Sequence, residues 1–149
     1  MITNIFSENY KNIDKISIID SKKVFYNLQS VLQKRDINFD DEDALIICPL
    51  PEDIKYPSSS KIVDSGQLFS YKVDITITNQ SSYTESQLYR YLNKKVILVF
   101  HFREGKIIIG CNENPLQFLF DEDNSTNPTA NNGYSVQLAG NTYYGKVNL

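Results

Sequence analysis

The single histidine, His101, is the side chain best suited to acid–base catalysis near neutral pH. It lies in the apolar run 96–102, on the face that a strand would share with Ile97 and Val99. A catalytic base works with a nearby acid or nucleophile, and no such motif accompanies this histidine. One histidine and two distant cysteines also fall short of the four ligands of a zinc site. The sequence therefore predicts a buried or partly covered structural imidazole.

Two acidic runs could bind a cation: Asp40–Asp43 and Asp121-Glu122-Asp123. An EF-hand loop needs oxygen ligands at alternating positions, a central glycine and a glutamate at the twelfth position, and the second run lacks this pattern. The sequence favours solvated loops for both. A cation site remains the alternative for the first run, and an interface patch or a metal site for the second. An enzyme would need Asp43, Asp121 and Asp123 to converge on a metal, or His101 to open into a pocket with a carboxylate.

The remaining residue types that do chemistry are also without a motif. Cys48 and Cys111 each end an apolar run, which favours reduced, buried thiols over a disulfide. The six glycines form no phosphate-binding loop, and no serine stands in a nucleophile elbow. We therefore predict no catalytic, cofactor-binding or metal-binding residues and no enzymatic activity.

Composition narrows the class of protein. The net charge of −3 and the pI near 5.1 argue against nucleic-acid binding, which requires a concentrated basic face. The longest strongly apolar run, residues 96–102, is far shorter than the roughly 20 residues of a membrane span. The first residues lack the pattern of a secretory signal, so we expect synthesis and folding in a cytoplasm. We expect a single domain over residues 1–149, with an extended N-terminal arm over 1–19 and a globular α+β body over 20–149.

The first half of the chain predicts few regular elements. A short strand is expected near residues 15–19, within the arm. Asp20 or Ser21 then caps a helix that runs to about Arg35, because the apolar residues repeat with helical spacing at Val24, Phe25, Leu28, Val31 and Leu32. Residues 44–48 read as a short buried strand, which the following prolines end.

The second half predicts a series of strands. Residues 67–78 alternate apolar and polar side chains, as in an antiparallel sheet with one buried face. Ser82 and Glu85 fit a capping box for a three-turn helix with Leu88, Tyr91 and Leu92 on its apolar face. The run 96–102 is apolar on both faces, which predicts a central strand covered on both sides. A hairpin turn with positive φ at Gly105 leads to a returning strand over 107–111.

Three further elements follow. A turn at residues 112–115 precedes an alternating strand with Leu116, Phe118 and Phe120. Residues 121–133 read as a polar loop. A strand with Tyr134, Val136 and Leu138 then leads through a Gly140-Asn141 turn to a terminal strand. The predicted fold is α+β, mainly an antiparallel sheet in a sandwich or partly open barrel, with two short helices and an extended N-terminal arm.

Tyrosines concentrate in the second half, and tyrosine is favoured at protein–protein interfaces. The alternative is ordinary strand propensity together with AT-rich codon usage. The long strand 67–78 and the terminal strand offer sheet edges that must be paired, covered or charged. Pairing of those edges between copies is therefore a hypothesis for assembly. The tyrosines in question are Tyr83, Tyr89, Tyr91, Tyr134, Tyr143 and Tyr144.

From Ser82 onward the chain resembles small virion proteins of tailed bacteriophages, namely head–tail connector, tail-ring and tail-completion proteins. The similarity covers about 70 residues. Its skeleton is G-x-x-E-N-P-L, then N-G-Y, then G, which here is Gly110 with Glu113-Asn114-Pro115-Leu116, Asn132-Gly133-Tyr134, and Gly140. The AT-rich usage suggests phages of gut bacteria, such as the crAss-like group. The N-terminal half is not covered.

The resemblance implies a structural subunit of the virion. Such proteins form rings of about six or twelve copies around the tail axis, and their contacts with other copies and with neck or tail proteins are their activity. The resemblance implies no cofactor, no membrane and no direct contact with nucleic acid. A small cytoplasmic adaptor with a groove beside strand 67–78 is the second hypothesis, and an enzyme is the third.

Overall fold

The structure is a computed structural model that describes residues 1–2, 13–49, 54–55, 57–64, 66–78, 80–103, 105–123 and 133–149. Within these residues ten strands form one antiparallel sheet, which is open and not closed into a barrel. The α-helices are α1 (Leu28–Leu32) and α2 (Ser82–Tyr91), and 3-10 turns cover Ser21–Lys23 and Asp41–Asp43. The strands are β1 (Ile13–Asp20), β2 (Ala44–Ile47), β3 (Ile54–Lys55), β4 (Ser58–Val63), β5 (Gly66–Ile77), β6 (Lys95–Phe102), β7 (Gly105–Ile109), β8 (Leu116–Asp123), β9 (Gly133–Thr142) and β10 (Val147–Asn148). The prediction of a mainly antiparallel sheet with two short helices is confirmed.

Strand β6 organises the sheet. Its residue Phe100 pairs with Ile16 of β1 on one edge and with Ile107 of β7 on the other. On the same side of β6 as β7, strand β8 pairs with the beginning of β6 at Val96. From β8 the sheet continues through β9 to β5, which carries β3 and β4, while β2 adds to the outer edge of β1. All side chains from 96 to 100 are fully shielded from water, so the predicted central strand is confirmed.

The two faces of β6 belong to two different hydrophobic cores. Leu98 and Phe100 point into the larger core, with residues of β1, β5, β8, β9 and α2. Ile97 and Val99 point into the smaller core, which the segment 24–39 covers with Tyr26 as its largest fully buried side chain. The alternation follows from the strand geometry, in which successive side chains point to opposite faces.

Strand β1 lies inside the sheet and not in an arm. The predicted strand at residues 15–19 is confirmed, but it pairs with β2 on one side and β6 on the other. Its residues 16–19 are buried. The part of the predicted arm from residue 13 onward therefore belongs to the core, because its isoleucines face both cores. Residues 3–12 of that arm lie outside the described residues.

The predicted helix over residues 21–35 is wrong except at α1. Asp20 caps only the 3-10 turn, and Val24 then takes extended backbone angles. Asn27 caps α1 by accepting from the backbone N–H of Ser30. Phe25 and Leu32, both placed on the predicted apolar stripe, are 82% and 57% exposed.

Asn112 explains why the helix does not form. Its side-chain Oδ1 accepts from the backbone N–H of Tyr26, and its Nδ2 donates to the carbonyls of Ser21 (2.8 Å) and Val24 (2.9 Å). Its own backbone N–H donates to the carbonyl of Tyr26 at 2.7 Å. A helix would need some of these backbone groups for its own ladder. We call these four bonds the Asn112 clamp.

The clamp positions the cover of the smaller core. Next to it, Glu113 accepts from the backbone N–H of Leu28 at 2.9 Å, at the start of α1. The hydroxyl of Tyr26 donates to the carbonyl of Arg35 at 2.9 Å, which ties the two ends of the covering segment together. Burial, together with the charges of Asp36 and Cys111, raises the pKa of Tyr26 to about 12.

The second half follows the predicted order with local corrections. The alternating strand 67–78 is confirmed as β5, but it is not an edge, because β9 lies on one side and β3 and β4 on the other. Gly105 is not a positive-φ residue; among the glycines that role falls to Gly66 and Gly110. A side chain at Gly105 would instead collide with the carbonyl oxygen of Leu149.

Strands β8 and β9 are longer than the sequence predicted. Asp121, Glu122 and Asp123 continue β8 and pair with Ser135, Tyr134 and Gly133, so they do not begin a loop. Gly140 and Asn141 pair with Tyr71 and Ser70 inside β9, so the predicted turn is wrong. The partner strands supply the backbone bonds that keep these polar residues extended. The rest of the predicted loop, residues 124–132, lies outside the described residues.

Removing the Asn112 clamp should destabilise the fold. We expect Asn112→Ala to lower the free energy of unfolding by about 2 kcal/mol, because part-buried backbone groups lose their partners. Asn112→Asp should cost a similar amount, since a carboxylate can accept from Tyr26 but cannot donate to the two carbonyls. Urea denaturation measures both. The neighbouring Glu113→Gln is the control and should change stability by less than about 0.5 kcal/mol; equal effects of all three variants would contradict the clamp.

Candidate functional site

His101 lies near the end of β6, at the polar margin of the smaller core. Its Nε2 is 3.0 Å from the Oγ of Ser17, which is fully buried. Its cross-strand neighbours are Lys15 on β1 and Lys106 on β7. Burial and the positive charges of these two lysines lower the pKa of His101, and the more weakly acting Asp36 and Asp41 oppose the shift. The imidazole is half-buried and favours its neutral form.

The pair of His101 and Ser17 resembles a base and a nucleophile in distance alone. Ser17 is fully shielded from solvent, so a substrate could not reach its hydroxyl. Asp36 is engaged by Lys106, whose Nζ lies 2.9 Å and 3.0 Å from the two carboxylate oxygens. Within the described residues no carboxylate is hydrogen-bonded to His101. The imidazole satisfies a buried hydroxyl, which is a structural role.

Of the three acidic residues that a metal site would need, Asp43 and Asp121 lie in different elements, and the side chain of Asp123 lies outside the described residues. Asp43 lies in the turn before β2, whereas Asp121 is exposed on β8. The part of the chain that the structure describes contains no group of three or more histidine, cysteine or acidic residues that could hold a metal ion. Cys111 is buried, as predicted, and burial raises the pKa of its thiol. Cys48 is exposed, contrary to the prediction, because β2 has no neighbour on its outer side among the described strands.

A groove lies beside β2. Its volume is about 430 Å³, and it lies between β2 and the N-terminal half of α2. Since residues of both faces of β2 line it, the groove follows the open edge of the strand. The lining residues are Asp41, Ala44, Leu45, Ile46, Ile47, Cys48, Ile77, Tyr83, Thr84, Gln87 and Leu88.

Helix α2 forms the opposite wall because its start is fixed by a cap. Ser81, not the predicted Ser82, accepts from the backbone N–H of Thr84 at 3.1 Å. Leu88 and Tyr91 face the larger core, as predicted, and Tyr83 is left exposed on the first turn. The helix is thus anchored in the core by Leu88 and Tyr91, and its residues Tyr83, Thr84, Gln87 and Leu88 line the groove.

One end of the groove is acidic. Asp41 lines it, and the neighbouring Asp40 and Glu42 are exposed. None of the four carboxylates from Asp40 to Asp43 forms an ion pair with another described residue. This end of the groove therefore favours a positively charged partner.

A second hollow lies between residues of α1, the start of β5 and the C-terminal residues 143–145. It is open, has a volume of about 620 Å³, and is lined by Leu28, Gln67, Phe69, Tyr143, Tyr144 and Gly145. Of the six tyrosines singled out in the sequence, Tyr91 and Tyr134 are buried, and Tyr83, Tyr89, Tyr143 and Tyr144 are exposed. We call this second surface the aromatic hollow.

The sequence did not reveal the groove. The sequence predicts a buried strand over residues 44–48, and it predicts open edges at strand 67–78 and at the terminal strand. The nearest signal was Pro49, since proline directly after a strand is common at sheet edges.

No family model matches the chain, and neither a curated protein nor a solved structure is significantly similar to it. No described helix has the length and apolar character needed to cross a membrane. The function must therefore be argued from the surfaces themselves.

The protonation of His101 should be linked to stability. Because its pKa in the folded protein lies below the usual 6.5, the unfolded chain binds more protons and stability rises with pH in this range. The contribution is complete above the unfolded pKa and is lost as the pH falls through the folded pKa. His101 gives the only imidazole signal in the NMR spectrum, and its titration midpoint should lie below 6.5.

The variant His101→Gln provides the control, because its amide can still bond Ser17 but does not titrate. Its free energy of unfolding should depend less on pH than that of the wild type between about pH 7.5 and pH 5. Titrating carboxylates affect both proteins and cancel in the difference. A midpoint at or above 6.5 would contradict the assigned environment.

Proposed function

We propose that the protein is a virion structural protein, a ring-forming subunit of the head–tail connector or tail of a tailed bacteriophage. It acts through contacts with its own copies and with neighbouring neck or tail proteins, and its place is in the virion. The resemblance of the second half to such proteins supports the proposal. No catalytic step, cofactor, nucleic-acid contact or membrane contact forms part of it.

The observation that carries the proposal is the presence of two different hollows, each lined in part by apolar side chains. A closed ring needs a head-to-tail contact, in which one surface of a copy meets a different surface of the next. The groove beside β2 and the aromatic hollow are two such surfaces, each with exposed tyrosines: Tyr83 in the first, Tyr143 and Tyr144 in the second. Tyrosine buries a large area while its hydroxyl keeps a polar partner, which suits an assembly interface.

The finer fold description belongs to the same proposal. We infer a single α+β domain of sandwich type, because the larger core contains residues of β1 and β6 together with residues of β5 and β9. A body of this kind is rigid, and a rigid body presents its two surfaces at a constant angle. A constant angle between the two contacts is what closes a ring at one copy number.

A small adaptor that binds other proteins is the second candidate. The groove favours the adaptor, because the sequence predicts an adaptor groove beside strand 67–78. That strand is β5, and its last residue, Ile77, lies in the wall of the groove. An adaptor would use the groove for a foreign partner and remain a monomer or dimer. The oligomeric state therefore separates the two candidates.

Light scattering coupled to size-exclusion chromatography should give a mass that is a multiple of the 17.1 kDa chain. Tyr83→Asp, in the groove, and Tyr144→Asp, in the aromatic hollow, should each prevent ring closure, because each removes one half of the repeated contact. A mixture of the two variants retains one intact contact and should form dimers. Leu119→Asp is the control: this residue is also exposed but lines neither surface, and the assembly should persist.

A monomer at every concentration, together with absence from purified particles, would contradict the ring. Dimers that survive both tyrosine variants would favour the adaptor.

A further inference from the structure

Within the described residues, the open sheet has unpaired edges at its outer strands. Among the described strands longer than two residues, only β2 and β4 pair with a single neighbour, β1 and β5 respectively. These two strands lie at opposite ends of the strand order. An unpaired edge exposes backbone N–H and C=O groups and is a template for another strand.

Strand β4 has the properties of a strand that pairs with a neighbouring molecule. Its residues from Ser58 to Ile62 are all exposed, and Ile62 is 88% exposed, which is unusual for a large apolar side chain. Lys61, directly before it, makes no ion pair with a described residue. The three serines add no bulk that would obstruct pairing. The strand is also adjacent to the aromatic hollow, because Ser60 pairs with Phe69 and Ile62 with Gln67, and both partners line that hollow.

Strand β2 is shaped as the acceptor. Its open edge runs along a groove whose wall contains Leu88 and Ile77, so an apolar side chain that enters would be removed from water. The carboxylates of Asp41 to Asp43 lie directly before the strand and lack cationic partners among the described residues. The acceptor thus offers backbone groups, an apolar wall and negative charge.

These two edges complement each other: both have unpaired backbone groups, Ile62 matches the apolar wall, and Lys61 matches the acidic turn. We propose that β4 of one copy adds to the open edge of β2 in the next copy, with Ile62 in the groove and Lys61 beside the acidic turn. Successive residues of a strand point to opposite faces, so Ile62 can lie on the side of Leu45 while Lys61 lies on the side of Ala44. Charge complementarity and backbone pairing select this partner over a second copy of β2, which would bring no cation.

Each copy then donates one strand and accepts one strand, so the sheet continues from copy to copy. The inference rests on the proposed function, since it takes neighbouring copies as the partners. The inference goes beyond the proposed function by naming the two strands that meet. The mode is β-strand addition, in which the backbone supplies affinity and alternate side chains supply specificity.

Cross-linking to the natural thiol Cys48 tests the pairing directly. Cys48 is free and exposed in the groove at the end of β2, whereas Cys111 is buried and should stay silent. Ser59→Cys and Val63→Cys place a second thiol near either end of β4. Since a disulfide needs Cβ atoms about 4 Å apart, mild oxidation should link Cys48 to one of these two positions in a neighbouring copy, and which one reports the strand direction.

Two variants control the cross-link. Cys48→Ser in the same background should abolish it, and Leu119→Cys should not cross-link to Cys48. Failure of both β4 variants to react would overturn the proposal. A Cys48–Cys48 link in the wild type would also overturn it, because it would show β2 paired with β2.

A charge exchange tests the ionic part. Lys61→Glu should weaken self-association by roughly fivefold in sedimentation experiments, as should Asp41→Lys combined with Glu42→Lys. The triple variant restores opposite charges and should recover the wild-type association. Lys72→Glu, an equal charge change at an exposed site on β5, is the control and should have little effect. Loss of association in the triple variant would contradict the ionic contact.

The two proposals fail separately. Full-size oligomers without a Cys48 cross-link would overturn the strand pairing and leave the ring standing. A cross-link between copies that never close into larger oligomers would support the pairing and count against the ring.

Discussion

The central strand β6 is apolar on both faces, and the fold depends on keeping water from both of them. The larger core covers one face with other parts of the sheet and α2. The other face is covered by the largely irregular segment 24–39, which contributes Tyr26 and Ile37. Burying each of these side chains contributes roughly 2 kcal/mol. An irregular segment can remain there only if its backbone groups are satisfied, and the Asn112 clamp satisfies them.

The clamp gives a physical role to the motif on which the bacteriophage resemblance rests. Gly110 adopts a positive φ of 95°, which lets the chain turn from β7 toward β8. The carbonyl of Asn114 accepts from the backbone N–H of Cys111 within the same turn. Glu113 binds the start of α1. These residues build the turn that holds the covering segment, so the motif describes architecture, and function has to be sought at the surface.

His101 and Cys111 help to complete the interior. His101 satisfies Ser17, and Cys111 is buried with a thiol that favours its protonated form. Strand edges without a partner among the described residues lie instead at the outer strands of the sheet. An open sheet leaves backbone groups unpaired at its outer strands. Among the described outer strands, β2 borders a groove with an acidic end, and β4 carries a lysine and an exposed isoleucine. Those properties suit contacts between molecules.

The sequence alone determined the elements whose signal is local. Alternation over 67–78 and at Leu116 and Phe118, the apolar run 96–102 and the helix near Ser82 all appear in the structure, because a strand or an amphipathic helix sets its own periodicity. Tertiary structure decided the rest. The residue that prevents a helix at Tyr26 lies 86 positions away, and a strand is an edge only if nothing pairs beside it. Neither fact is written in the residues of the segment concerned, since both depend on which partners the folded chain brings to it.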